Sequence, residues 1–150
     1  MKTVFYIIVL VMILFGGCVK SQVRLASPFA IRQIQDEQSQ PPQARVYFPF
    51  ASDHIMSEAV SGTDRNISWL ATNPDAYVIL EGHCDEVGPA EYNMELGDRR
   101  ARAIKAYMIK RGIPAERVIM IVSYGSTRPL NPGHRVVDLR ENRRVEFILR

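Results

Sequence analysis

Between Tyr77 and Lys110 a strand-like run stopped by glycine, a short polar loop and a long amphipathic helix follow one another, and this stretch constrains the fold most. Tyr77–Glu81 (YVILE) is β-branched and aromatic and ends in Gly82. The loop after it carries Gly88-Pro89, a turn-forming pair. A helix is expected from about Glu91 to Lys110, with Leu96, Ile104, Tyr107 and Met108 at the spacings of one buried stripe. Asn93 and Arg100 fall on that stripe, while Asp85 in the loop reaches the same place. A carboxylate and a guanidinium facing a helix N-terminus across a small gap suit a small zwitterion better than a reaction.

The elements on either side complete the pattern. Ala44–Phe48 reads as a first strand ended by Pro49. Ser57–Thr72 reads as a helix with Val60, Ile67 and Leu70 inward, Trp69 at its flank and a stop at Asn73-Pro74. Gly112 supplies the C-terminal signal of the long helix. Val118–Tyr124 reads as a third, buried strand. A Gly- and Pro-rich loop, a helical turn at Asp138–Asn142 and an alternating strand at Arg144–Leu149 close the chain. The order β-α-β-α-β-β implies an α+β fold, a mixed sheet with its helices on one face.

The first residues belong to none of this. Met1-Lys2 precedes an apolar run, Val4 to Phe15, and then Gly16-Gly17-Cys18, the layout of a secretory signal. Val4 to Val19 is shorter than the roughly 20 residues a spanning helix needs, which weighs against an uncleaved anchor. Lys20 to Gln43 is rich in Gln and Ser, ends near Pro41-Pro42 and reads as a linker. About 25 flexible residues have an r.m.s. reach on the order of 25–30 Å. The expected organisation is a signal peptide over 1–17, an N-terminus and linker over 18–43 and a folded domain over 44–150.

Charge and cysteine content narrow the possibilities. The 19 Lys and Arg against 16 Asp and Glu are mixed along the chain, and nothing points to nucleic acid. Two cysteines, Cys18 and Cys84, make no disulfide framework. His83, Cys84 and Asp85 are adjacent, but neighbours on an extended segment point to opposite faces, so His83 and Cys84 form no dyad. His54 and His134 lack metal-binding spacing, so neither metal nor cofactor is expected. Cys84 is expected to pack as a small buried hydrophobe. Asp85 has two readings on its own residues, helix cap or ligand contact. Arg100 likewise either snorkels to solvent or grips an anion.

The pattern G-H-x-D-x-x-G, then N-x-x-L-x-x-x-R-A, with NRRVEF near the C-terminus, resembles the OmpA-like domains that bind peptidoglycan, in particular the peptidoglycan-associated lipoprotein branch. The resemblance runs from about Ala44 to Arg150 and implies the OmpA-like βαβαββ fold. It implies a non-enzymatic tether between the outer membrane and the cell wall. Asp85 would receive the ammonium of the stem-peptide diaminopimelate and Arg100 its carboxylate. Asn93, Leu96, Val87, Phe50 and Ala51 match positions lining that ligand. The branch usually has Phe-Asp-Phe-Asp after the first strand, where this chain has Phe48-Pro49-Phe50-Ala51.

Within the same resemblance, Gly-Gly-Cys looks like a lipobox, with Phe15 where leucine is preferred, so Cys18 would carry lipid. Val19, in place of an aspartate, implies sorting to the outer membrane, the domain facing the periplasm. TolB and other Tol proteins are the implied partners. Of Asn142-Arg143-Arg144, one arginine is expected to pair with an internal carboxylate and fix the last strand, and neither is counted in the site. Two other functions stay in view: a cell-wall hydrolase or amidase using His83 or Asp85, and a domain serving a secretion or motility assembly.

Overall fold

A computed structural model describes Pro42 and residues 45–150; the signal, Cys18 and nearly all of the linker lie outside the described residues. The elements are β1 (Arg45–Tyr47), α1 (Ser57–Thr72), β2 (Val78–His83), α2 (Ala90–Lys110), β3 (Val118–Gly125), α3 (Val136–Asn142) and β4 (Arg144–Leu149), with a 3-10 turn at Ala115–Arg117. They form one four-stranded sheet of order β1-β4-β2-β3. β4 pairs antiparallel with both β1 and β2, and β2 pairs parallel with β3, so the sheet is mixed.

One face carries the core. Val46, Val78, Leu80, Val145, Phe147 and Leu149 come from alternate strand positions, as the period of two requires. Ile67 and Leu70 of α1 and Ala101, Ile104 and Met108 of α2 pack on them. Each fully buried aliphatic contributes on the order of 1.5–3 kcal/mol from its removal from water. On α1 the inward stripe is filled by Thr63 and Asn66 as well, while Val60 is only half-buried.

Two close approaches set the position of α2. A Cβ on Gly82 would lie 2.0 Å from the Gly97 carbonyl oxygen, and one on Gly97 would lie 2.3 Å from Ser123 Oγ. Glycine at 82 is what lets the helix backbone touch β2, and at 97 a side chain would also have to displace the Ser123 hydroxyl of β3. Arg100, nearly one turn after Gly97, is thereby brought against the end of that strand. The far end of α2 closes where Gly112 takes φ 95°, a conformation costly for residues with a side chain.

The third strand corrects the expectation of a fully buried run. β3 is an outer strand of the sheet, and Ile119 and Met120 are each 52% exposed. Its apolar sequence reflects α2 covering one side only. The last connection also holds more helix than expected, since α3 begins at Val136 rather than Asp138.

Candidate ligand-binding site

The candidate site lies where β2 runs into the loop before α2. A register shift at Gly82/His83 ends the regular β2–β3 ladder, and the Cys84 amide then donates to the Gly125 carbonyl at 2.8 Å. Bulges of this kind re-aim side chains at the end of a strand. The His83 ring turns toward Tyr124, with ring centroids 5.5 Å apart. Cys84 Sγ turns toward α2 and donates to the Asn93 carbonyl at 3.2 Å. The alternation expected for His83 and Cys84 is present.

Asp85 is 4% exposed, and both its carboxylate oxygens are engaged. Oδ1 accepts from the Val87 amide at 3.2 Å, and Oδ2 accepts from Arg143 Nη1 at 3.0 Å. Asn93, on the first full turn of α2, donates through Nδ2 to the carbonyls of Asp85 and Val87 at 3.3 and 3.1 Å. That pair of bonds holds the loop in place. Asp85 does not cap α2; Pro89 precedes the helix, with no side-chain cap.

Arg100 is fully buried, and every nitrogen of its guanidinium donates. Nε reaches the Ser52 carbonyl at 2.9 Å, Nη1 the His83 carbonyl at 2.9 Å and Cys84 Sγ at 3.3 Å, and Nη2 the Pro49 carbonyl at 3.0 Å. The guanidinium carbon stands 5.3 Å from the centroid of the Phe48 ring. Desolvation draws the Arg100 pKa below its ordinary value, with Cys84 and Asp85 opposing. Burial pushes the Cys84 thiol up, and Arg100 beside it pulls the other way. Cys84 is thus more than a packed hydrophobe: its sulfur is hydrogen-bonded on both sides within the site.

The remaining expected residues take different positions. Leu96 is buried on α2, 4% exposed. Val87 and Phe50 are 45% and 60% exposed at the surface. Ala51 adopts φ 47°, uncommon for a residue with a side chain, in the segment whose carbonyls hold Arg100. Asp53, next along that segment, lies 3.8 Å from exposed Arg99.

Arg143 does belong with the site, contrary to the expectation that both closing arginines lie outside it. Its Nη1 holds Asp85 and its Nε donates to the Phe48 carbonyl at 3.3 Å, so it bridges two walls of the site. Arg144 does take the structural role, donating to Glu146 Oε1 at 2.6 Å. At the rim His134 Nδ1 meets Glu86 Oε1 at 2.7 Å. Two guanidiniums, Arg100 and Arg143, face one carboxylate, Asp85, in a nearly dry enclosure. The excess positive charge favours a ligand with an anionic group, and Asp85 adds a place for a cationic one. His83, sealed on the opposite face, does not converge with Cys84 and Asp85 on any reacting atom.

The profile of the OmpA family matches residues 47–143, from β1 to Arg143. The peptidoglycan-associated lipoprotein of Rhizobium meliloti is 37% identical over 105 residues, covering 70% of this chain and 59% of that protein. The protein of the same name from Pseudomonas aeruginosa is 41% identical over 102 residues, covering 67% and 59%. The chain therefore spans about three-fifths of the length of these relatives. The crystal structure of the peptidoglycan-associated lipoprotein from Burkholderia pseudomallei superposes with a TM-score of 0.67 at 28% identity, covering 71% of this chain and 90% of that one. A periplasmic domain of Helicobacter pylori MotB shares the fold at a TM-score of 0.60 and 21% identity, covering 69% of each chain. The matched segment contains every residue that builds the site, and the chain belongs to the OmpA family.

Proposed function

We propose that the chain binds peptidoglycan non-covalently through the diaminopimelate terminus of its stem peptide, and so tethers the outer membrane to the cell wall. The observation that carries this reading is the buried trio of Asp85, Arg143 and Arg100. A diaminopimelate terminus presents an ammonium and a carboxylate on one carbon. Asp85 retains lone-pair capacity beyond its bonds to Val87 and Arg143 and takes the ammonium. Arg100 takes the carboxylate through the Nη2 hydrogen not committed to Pro49, and a two-pronged grip requires the Pro49–Ser52 segment to shift. Asn93 fixes the loop, Leu96 lies buried on the same helix, and Val87, Phe50 and Ala51 form the outer lining.

The rest of the reading concerns attachment. Cys18 carries the lipid, the domain occupies the periplasmic side, and TolB and other Tol proteins are its protein partners. Neither end performs chemistry, so incubation with purified sacculi releases no muropeptides. The names of the matched relatives, peptidoglycan-associated lipoproteins, support the lipid and cell-wall parts of this reading. Calorimetric titration with a diaminopimelate-containing stem peptide, against its lysine analogue, tests the site. The analogue lacks the terminal carboxylate and is expected to bind about tenfold more weakly or worse. Equal affinities would remove the assigned role of Arg100 and its neighbours.

A further inference from the structure

A second recess lies apart from the Asp85 site. It is a cleft of about 530 Å³ between β1, the first half of α1 and α3, and none of the residues lining it hydrogen-bonds to Asp85, Asn93 or Arg100. Its floor is kept low by small residues: a Cβ on Gly62 would meet only the Arg45 carbonyl oxygen, at 3.8 Å. Tyr47 and Val137, 37% and 57% exposed, give it apolar walls. Among the described residues β1 is an outer strand of the sheet and pairs on one side only, with β4.

The charges are unevenly matched. Three arginines line the cleft, Arg45, Arg65 and Arg140, together with Glu58 and Glu141. Arg45 is already paired, Nε to Glu146 Oε1 at 3.1 Å. Glu141 accepts from Asn131 Nδ2 at 3.3 Å, and Glu58 sits in the first turn of α1, where a carboxylate is favoured by the helix N-terminus. Arg65 and Arg140 make no ion pair among the described residues, nor do Glu58 and Glu141, and the three arginines against two carboxylates leave the lining one positive charge in excess. Arg65 and Arg140 are exposed, and both border the same cleft.

We propose that this cleft is a docking site for an acidic peptide segment in extended conformation. The segment lies along the open side of β1, sets apolar side chains on Tyr47 and Val137, and presents carboxylates to Arg65 and Arg140. An extended strand alternates its side chains and so offers both kinds at once. The planar guanidinium matches a carboxylate in two-point geometry, which a diffuse positive surface does not. This site is independent of the peptidoglycan reading.

The test titrates full-length protein, in detergent micelles at low salt, with a short fluorescein-labelled peptide of alternating Asp and Val, both ends blocked. The expected result is saturable binding that the Asn/Val counterpart lacks. Arg65→Ala and Arg140→Ala each weaken it about fivefold, and the double variant about 25-fold. Gly62→Leu, which fills the floor and changes no charge, also weakens it. Arg102→Ala, which removes an exposed arginine from α2, leaves it unchanged. Absence of binding overturns the proposal, as does an equal loss in Arg102→Ala, which marks general surface charge. So does tighter binding of phosphatidylglycerol vesicles that the peptide does not displace, or self-association of the protein that excludes the peptide.

Discussion

Two buried polar clusters sit on opposite faces of the sheet at the same end of β2, and they are completed differently. On the helix face every nitrogen of Arg100 donates, and Asp85 is bonded through both oxygens. On the other face His83 is 2% exposed and its ring nitrogens have no partner among the described residues, and neither has Nη1 of Arg144. His83 belongs to both clusters, since its carbonyl accepts from Arg100 while its ring packs against Tyr124. The first cluster keeps its charges because backbone carbonyls and a counter-ion replace water. The second keeps its ring neutral instead: burial first and Arg144 second lower the His83 pKa from 6.5 to about 4. Satisfied polar groups fix geometry at the candidate site, whereas unsatisfied ones make the opposite face sensitive to acid.

The largest effect is expected from breaking the satisfied cluster. Arg100→Ala leaves the carbonyls of Ser52, His83 and Pro49 buried without their donor, at a cost of about 4 kcal/mol. Urea unfolding checks this, and a loss below about 1 kcal/mol would end the contrast between the two faces. Arg100→Lys recovers less than half of the stability, because one ammonium cannot span three carbonyls on two segments. Because fold and site share this residue, its loss of binding to sacculi is not a clean measure of ligand contact.

Asp85→Asn separates the two roles. The amide oxygen still accepts from Val87, so the loop survives, while the charge facing Arg143 is lost. Co-sedimentation with sacculi is expected to weaken about thirtyfold or more, with stability reduced by about 1 kcal/mol. Arg99→Ala, one position round α2 on the exposed side, binds normally. If the two variants lose binding alike, general charge on the surface holds the polymer rather than a specific site.

Much of this site was legible from residue spacing. Asn93 and Arg100 lie on the buried side of α2 because helical periodicity puts positions seven apart together. The loop before the helix is short, so Asp85 had to lie near its N-terminus. Arg143 was not legible, because it sits beside Arg144 where α3 gives way to β4. Alternation along β4 puts Arg144 on the face of Glu146, two residues on, but the partner of Arg143 is Asp85, 58 residues away, which no local pattern records. β3 misled for a related reason. An apolar run is equally consistent with a central strand and with an outer strand covered by one helix. Local sequence carries no record of how many neighbours a strand has.

The acid-sensitive face gives a prediction in pH. An unfolded histidine binds its proton near 6.5, whereas His83 in the fold binds it only near 4. Between those values the unfolded chain holds more protons, so stability is full above about pH 6.5 and falls as the pH drops toward 4. The total loss is at most about 3.5 kcal/mol. His83→Leu should flatten that part of the profile, measured as the difference between its urea midpoints and those of the wild type from pH 7 to 4. Parallel profiles would mean that the ring is charged in the fold and has partners after all.

The smallest effect probes the seam between the two clusters. Cys84 Sγ donates to the Asn93 carbonyl and receives one Arg100 hydrogen, while its main chain ties β2 to Gly125. The thiol is held in its neutral form by burial, so its part in the cluster is a weak donor and acceptor rather than a charge. Cys84→Ala removes one sulfur from a packed position and should cost about 1 kcal/mol, with binding to sacculi nearly intact. Cys84→Ser keeps a donor for Asn93 and an acceptor for Arg100 in a smaller atom. If hydrogen bonding is what Cys84 contributes, serine should unfold later in urea than alanine. If volume is what matters, the two should coincide or serine should be the weaker, since it buries a hydroxyl whose shorter bond falls short of both partners. Loss of binding in either variant with the fold intact would make Cys84 a ligand contact.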